Sequence, residues 1–153
     1  MAGVHLLSVK SITTMENSII YTDSHVEIHF EAQKKYLRCH WRGTVLTEEA
    51  LSAYKTGLKF MRKNDILMWV DDFTKINLPP EETLMYIEHM WYPDAEEYGM
   101  QKHAFLVENM GFETSVFEDA VVMANRKTKI KVKFFTEIDD IEKWLNAIQI
   151  DKE

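Results

Sequence analysis

The chain has 153 residues, 46% of them hydrophobic and 28% charged, which suits one soluble globular domain and excludes a disordered chain. Eighteen Lys and Arg against 25 Asp and Glu leave a net charge of −7. That balance disfavours a nucleic-acid binder, which needs a basic face, and electrostatic attachment to an anionic membrane.

Motif spacing narrows the classes further. A lone cysteine, Cys39, allows neither an intrachain disulfide nor a CxxC zinc or redox motif, and it suits a reducing compartment. The nearest pair among Gly3, Gly43, Gly57, Gly99 and Gly111 is 12 residues apart, so no phosphate-cradling glycine loop is present. No GxSxG or HExxH occurs. The longest apolar runs, Ile66–Val70 and Ala120–Ala124, are five residues each, where a membrane span needs about 20. The first ten residues lack the pattern of a secretory signal. The expectation is a cytoplasmic protein without cofactor, membrane insertion or nucleic-acid partner.

Residues 1–17 carry no periodic signal and read as an irregular extension of a single domain spanning 1–153. Ser18–Thr22 reads as a short strand. Val26, Ile28 and Phe30 alternate with polar residues, as do Leu37, Cys39 and Trp41, which is the period-2 signature of half-buried strands. The short link Ala32–Lys35 joins them into a hairpin. Keeping apolar against apolar requires paired residue numbers to sum to an odd number, and a sum of 67 pairs Phe30 with Leu37, Ile28 with Cys39 and Val26 with Trp41.

Helices and strands then alternate. Thr47, followed by Glu48 and Glu49, suits an N-cap for a helix with the inward stripe Leu51, Tyr54, Leu58 and Met61. Ile66–Val70 is apolar on both faces and reads as a central strand, followed by a polar stretch, Asp71–Leu78. Pro79-Pro80 and Glu81-Glu82 open a second helix with stripe Leu84, Ile87 and Trp91. Pro93 should break or kink it, and Gly99 should end it. A strand over His103–Val107, a helix over Glu113–Asn125 and a strand over Lys131–Phe135 follow. Thr136 to Asp139 resembles a capping box for a last helix with Ile138, Ile141, Leu145 and Ile148 inward. The expected fold is α/β: a mixed, mainly parallel sheet of five or six strands with an N-terminal antiparallel hairpin and about four helices, mostly on one face.

Five groups of residues are candidates for function. Asp71 and Asp72, expected at a strand end with Thr74, Glu108 and Asn109 from neighbouring loops, would hold Mg²⁺ or act as acid and base. The competing reading has Asp72 and Thr74 shaping a turn and Asp71 facing solvent. His25, Glu27, His29 and His40 share one hairpin face, and a metal there would need the pair Glu27–His40 plus one more ligand. A solvated, charge-interleaved sheet face is the favoured reading. The run Arg126 to Lys133 carries five positive charges in eight residues. It reads better as a helix C-terminal cap and lysines guarding an edge strand than as a site for an acidic partner or a lipid headgroup. The aromatic and Met residues are core or line a ligand cavity, with core the default. Tyr86, Trp91 and Tyr92, beside Pro93, are expected to stay partly exposed. Cys39 lies on an apolar face and is not a nucleophile.

The element order and its landmarks resemble a small bacterial family described as SpoIIAA-like or STAS-like. The landmarks are WRG at 41–43, ILMWVDDF at 66–73, the EE-to-WYP stretch at 81–93, AEEYG at 95–99, KFF at 133–135 and IEKWL at 141–145. The resemblance runs from about Val26 to Ile148 and implies a cytoplasmic, single-domain protein of uncharacterised function. Better-known STAS relatives are anti-sigma-factor antagonists that switch partners through a phosphorylated serine. The matching stretch here, Asn77 to Glu82, contains no Ser or Thr. A SEC14-type lipid-binding group shares only the fold. The expectation is a non-enzymatic regulatory or scaffolding module with a protein partner, docking through Glu81, Glu82, Tyr86, Trp91 and Tyr92, and a possible homodimer. The alternatives are small-molecule or lipid binding in an aromatic, Met-rich cavity, and a metal-dependent hydrolase using Asp71 and Asp72.

Overall fold

The hairpin forms with the register that its apolar alternation demands. In the computed structural model, which describes residues 17–77 and 81–147, strand β1 (Ser18–Thr22) pairs antiparallel with β2 (Val26–Glu31), and β2 with β3 (Tyr36–Gly43). Val26 faces Trp41, Ile28 faces Cys39 and Phe30 faces Leu37. Lys35, at φ 59°, closes the turn in the left-handed region. The proposed extension at 1–17 lies outside the described residues except for Asn17, whose Oδ1 accepts the Ala32 N–H at 3.0 Å.

Helix α1 (Thr47–Asn64) follows. Its N-cap is Leu46 rather than Thr47, and the Glu49 carboxylate takes over the capping role by accepting the Leu46 N–H at 2.9 Å. Strand β4 (Met68–Ile76) is longer than expected. It runs through Asp71–Ile76, where the sequence suggested a polar loop. Helix α2 comprises an α turn Glu81–Tyr86, a π turn Ile87–Trp91 and an α turn Tyr92–Glu97. The chain thus passes Pro93 without breaking. A proline cannot donate to the preceding turn, and the π turn absorbs the mismatch. Gly99, at φ +101°, ends the helix as expected.

Strand β5 (Lys102–Leu106), α3 (Phe112–Ala124), β6 (Lys131–Phe135) and α4 (Ile138–Asn146) complete the chain. The capping box at Thr136 is not formed. Glu137 is the N-cap and makes no side-chain cap bond, while Asp139 and Asp140 face the positive helix end. Ile148 lies outside the described residues.

The sheet order is β1-β2-β3-β4-β5-β6, with β3 to β6 parallel. An order without reversal sends every right-handed crossover to the same face, so α1, α2 and α3 share one side. Their buried residues join Ile28, Cys39, Trp69 and Phe105 in the main core. On the other side α4 covers a smaller core of Tyr36, Val70, Ala104, Leu106, Ile141 and Leu145. At Gly57 α1 touches the sheet so closely that a Cβ would sit 2.3 Å from Trp69 Cη2. No helix among the described residues is long and apolar enough to cross a membrane.

Candidate functional site

Adjacent strand residues point to opposite faces of a sheet. Asp71 and Asp72 lie in the middle of β4, not at its end, and therefore occupy two separate environments. Together they cannot hold one ion, so the paired-carboxylate reading fails on geometry.

Asp71 faces the main core and is fully buried, not solvent-facing. Its Oδ1 accepts the Trp41 Nε1–H at 2.8 Å. Its Oδ2 accepts the Tyr54 O–H at 3.1 Å and the His103 Nε2–H at 2.8 Å. The Tyr92 O–H donates to His103 Nδ1 at 2.8 Å. With these roles assigned to the two His103 ring nitrogens, every donor in the network has an acceptor. Burial, reinforced by the Asp71 charge, pushes the Tyr54, Tyr92 and Cys39 protons to bind more tightly than usual. Cys39 is an inert core thiol, as its strand position implied. An Asp–His–Tyr chain closed beneath α1 and α2 has no surface from which to meet a substrate. It holds β3, β4, β5, α1 and α2 together.

Trp91 and Tyr92, expected at an exposed patch, are both 0% exposed. Trp91 Nε1–H donates to the Tyr54 carbonyl at 3.1 Å, and its ring lies 5.0 Å from that of Trp69. The π turn, by carrying the helix past Pro93, keeps both residues on the inner side. Tyr86 is half-buried beneath the Lys55 ammonium at 5.9 Å. Glu81 and Glu82 open α2, and their side chains lie outside the description. The void bordered by Trp41, Tyr54, Phe73 and Thr83 is about 10 Å³, room for at most one water, so the aromatics fill the core there rather than line a lipid cavity.

Asp72 faces the other side of the sheet. Burial alone would raise its pKa. That is outweighed by hydrogen bonds from His40 and Thr74 and by the Arg38 charge, which hold the carboxyl well below the usual range. Arg38 Nη2 and His40 Nδ1 each lie 3.4 Å from Oδ2. Glu27 and His40 are register partners, His29 Nε2–H donates to Glu27 at 3.0 Å, and the His29 and His40 rings meet edge-on at 4.8 Å. His25 does not join them. It turns toward α1 and donates to Glu49 at 2.9 Å. Among the described residues no group of three or more His, Cys, Asp or Glu is placed to hold a metal ion.

The C-terminal ends of β4 and β5 do border a cleft, of about 670 Å³, lined by Thr74, Asn77, Glu108, Asn109 and Phe112 among others. Thr74, Glu108 and Asn109 meet there as expected, without Asp71 or Asp72. The crevice rule that pointed to this edge needs a reversal in strand order, and this sheet has none. The basic run behaves as the sequence suggested. Arg126 Nη1 donates to the Met123 carbonyl at 2.8 Å near the end of α3, and Lys131 and Lys133 stand exposed on the edge strand β6.

The sequence points to α2 as a docking element, but not to its exposed methionines and not to the outer surface of α3. Met85 and Met90 on α2, and Phe112, Val116, Val122 and Met123 on α3, are exposed, Phe112 to 83%. Glu88 of α2 and Arg126, just past α3, form an ion pair at 3.1 Å that ties the two helices. The even spread of apolar residues around α3 was the available signal, because such a helix has no polar face to give to water.

The structure is similar to that of an uncharacterised protein of the DUF3478 family with a SpoIIAA-like fold from Shewanella loihica PV-4. The TM-score is 0.52 and the identity 19%, over 82% of this chain and 98% of that one. At that identity the likeness is one of fold, and the fold of this chain is SpoIIAA-like. No protein-family model matches the sequence, and no curated protein does.

Proposed function

We propose that the protein is a non-enzymatic module that docks a protein partner through the outer faces of α2 and α3. The observation that carries this reading is helix α3. It buries Phe117, Val121 and Ala124 and still exposes Phe112, Val116, Val122 and Met123. Contiguous exposed apolar side chains on a helix mark an interaction surface. Anchors of this kind dock an amphipathic partner segment.

Charge indicates the kind of partner. Between Phe112 and Ala124 the helix carries Glu113, Glu118 and Asp119 and no Lys or Arg. Two copies packed face to face would bring these acids together, which disfavours a homodimer through this surface. A partner with apolar anchors flanked by Lys or Arg fits. The lack of Ser and Thr over residues 77–82 supports docking that is not switched by phosphorylation there.

The test is a photoreactive phenylalanine analogue at position 112, cross-linked in native lysate and read by mass spectrometry. The expected product is one partner joined through a Lys- or Arg-flanked apolar segment. It should disappear in Val116→Asp while the circular dichroism stays unchanged. A cross-link only to the protein's own chain, or one indifferent to Val116→Asp, overturns the reading.

A further inference from the structure

Helix α4 closes the second face of the sheet over its smaller core and leaves open the part over β2, β3 and β4. There Glu27, His29, His40, Arg42, Asp72 and Lys75 line a concavity of about 360 Å³. That volume is within the range of small-molecule sites.

Plain alternation would not bring Lys75 to this place. Asp72 lies on the open face, so an unbroken strand would turn the third residue on, Lys75, toward the core. The register between β3 and β4 steps from His40↔Asp72 to Arg42↔Lys75, two residues against three. This bulge sets Arg42 and Lys75 side by side at the rim of the concavity. Asp72 braces it, its Oδ1 accepting the Thr74 N–H at 3.0 Å and the Thr74 O–H at 2.7 Å. Bulges re-aim side chains in this way beside functional sites.

The re-aimed charge has no local use. Like charges directly opposite across strands repel. The two carboxylates of the site are already engaged, Glu27 by His29 at 3.0 Å and Asp72 by Arg38 and His40 at 3.4 Å. Neither Arg42 nor Lys75 forms an ion pair among the described residues. Arg38 Nε, on β3, is buried and has no hydrogen-bond partner among the described residues.

We propose that this concavity binds a small soluble molecule through a phosphate monoester group held between Arg42 and Lys75. A single guanidinium suffices for a planar carboxylate. Two cations on neighbouring strands suit a compact group with three acceptor oxygens and up to two charges. The bound dianion would cancel the repulsion that the bulge creates.

Glycerol 3-phosphate, titrated against isotope-labelled protein, is the probe. Saturable amide shifts should be confined to residues 27–29, 40–42 and 72–75. Arg42→Gln and Lys75→Gln should each weaken binding at least about tenfold, and Lys133→Gln, on β6, should leave it unchanged. No response at these amides overturns the proposal. So does sedimentation with phosphatidic acid vesicles without any response to glycerol 3-phosphate, which would assign the same chemistry to a lipid headgroup. Melting of the unliganded protein is independent of any ligand. Lys75→Gln should melt at the same or a higher temperature, because it removes a repulsion. A lower melting temperature would make Lys75 a structural residue and remove it from the site.

Discussion

Asp71 and Asp72 are neighbours in sequence and of one residue type, yet the sheet gives them opposite tasks. Beneath α1 and α2, Asp71 accepts hydrogen bonds from three side chains on three different elements, and the network ends on Tyr92 with every donor used. On the open face Asp72 accepts from Thr74 in its own strand and steadies a bulge whose cations form no ion pair among the described residues. The first region is complete and closed. The second has donors to spare and a cavity in front of them. A closed polar network specifies a fold, and chemistry left open is where function is to be sought.

The largest expected effect comes from breaking the closed region. Asp71→Ala strands the Trp41 N–H, the Tyr54 O–H and the His103 N–H in a dry core, and should cost about 3–5 kcal/mol or prevent folding. Urea denaturation measures it. A cost below about 1 kcal/mol, the ordinary net value of one hydrogen bond, would mean that water reaches the network and that it is not closed. Tyr92→Phe is gentler. It removes only the donor to His103 Nδ1 and should cost about 1–2 kcal/mol with the same unfolding slope.

The same contrast shows what was legible in the sequence. The hairpin register was legible, because a one-residue slip would turn the buried face to solvent and the short link Ala32–Lys35 leaves little room for a longer one. The element order and the edge position of β6 were also legible, since periodicity and charge are local signals. The length of β4 was not. Asp-Asp followed by Thr-Lys looks like a turn, and only contacts from three other elements make Asp71 a core residue. A clue was present in Trp69, Asp71 and Phe73, which alternate with the aromatic pattern of a buried face. Trp91 and Tyr92 were misplaced for a related reason. Pro93 predicts a break or a kink, and a π turn that lets a helix pass a proline has no local signature. The α3 half of the exposed apolar surface was not legible, because apolar residues on a helix are assigned to the core by default and α3 has them all round.

The smallest effect sharpens the comparison from the open side. The Asp72 carboxyl titrates at lower pH in the folded chain than in the unfolded chain, so the unfolded state binds more protons in the acid range. Stability from this group is therefore fully present above the unfolded carboxyl pKa of about 4 and is lost as pH falls toward the folded value. Asp72→Asn should cost about 1 kcal/mol at neutral pH, since Arg38 and His40 stand at 3.4 Å and are partly solvated. Paired melts at pH 7 and in acid measure the difference between the two proteins. A gap that closes on acidification is the signature of charge, because a protonated aspartate and an asparagine then present similar groups to the same neighbours. A gap that persists would mean that Asp72 holds the bulge by shape alone. The cations beside it would then owe nothing to its charge, and the open face would be another part of the scaffold.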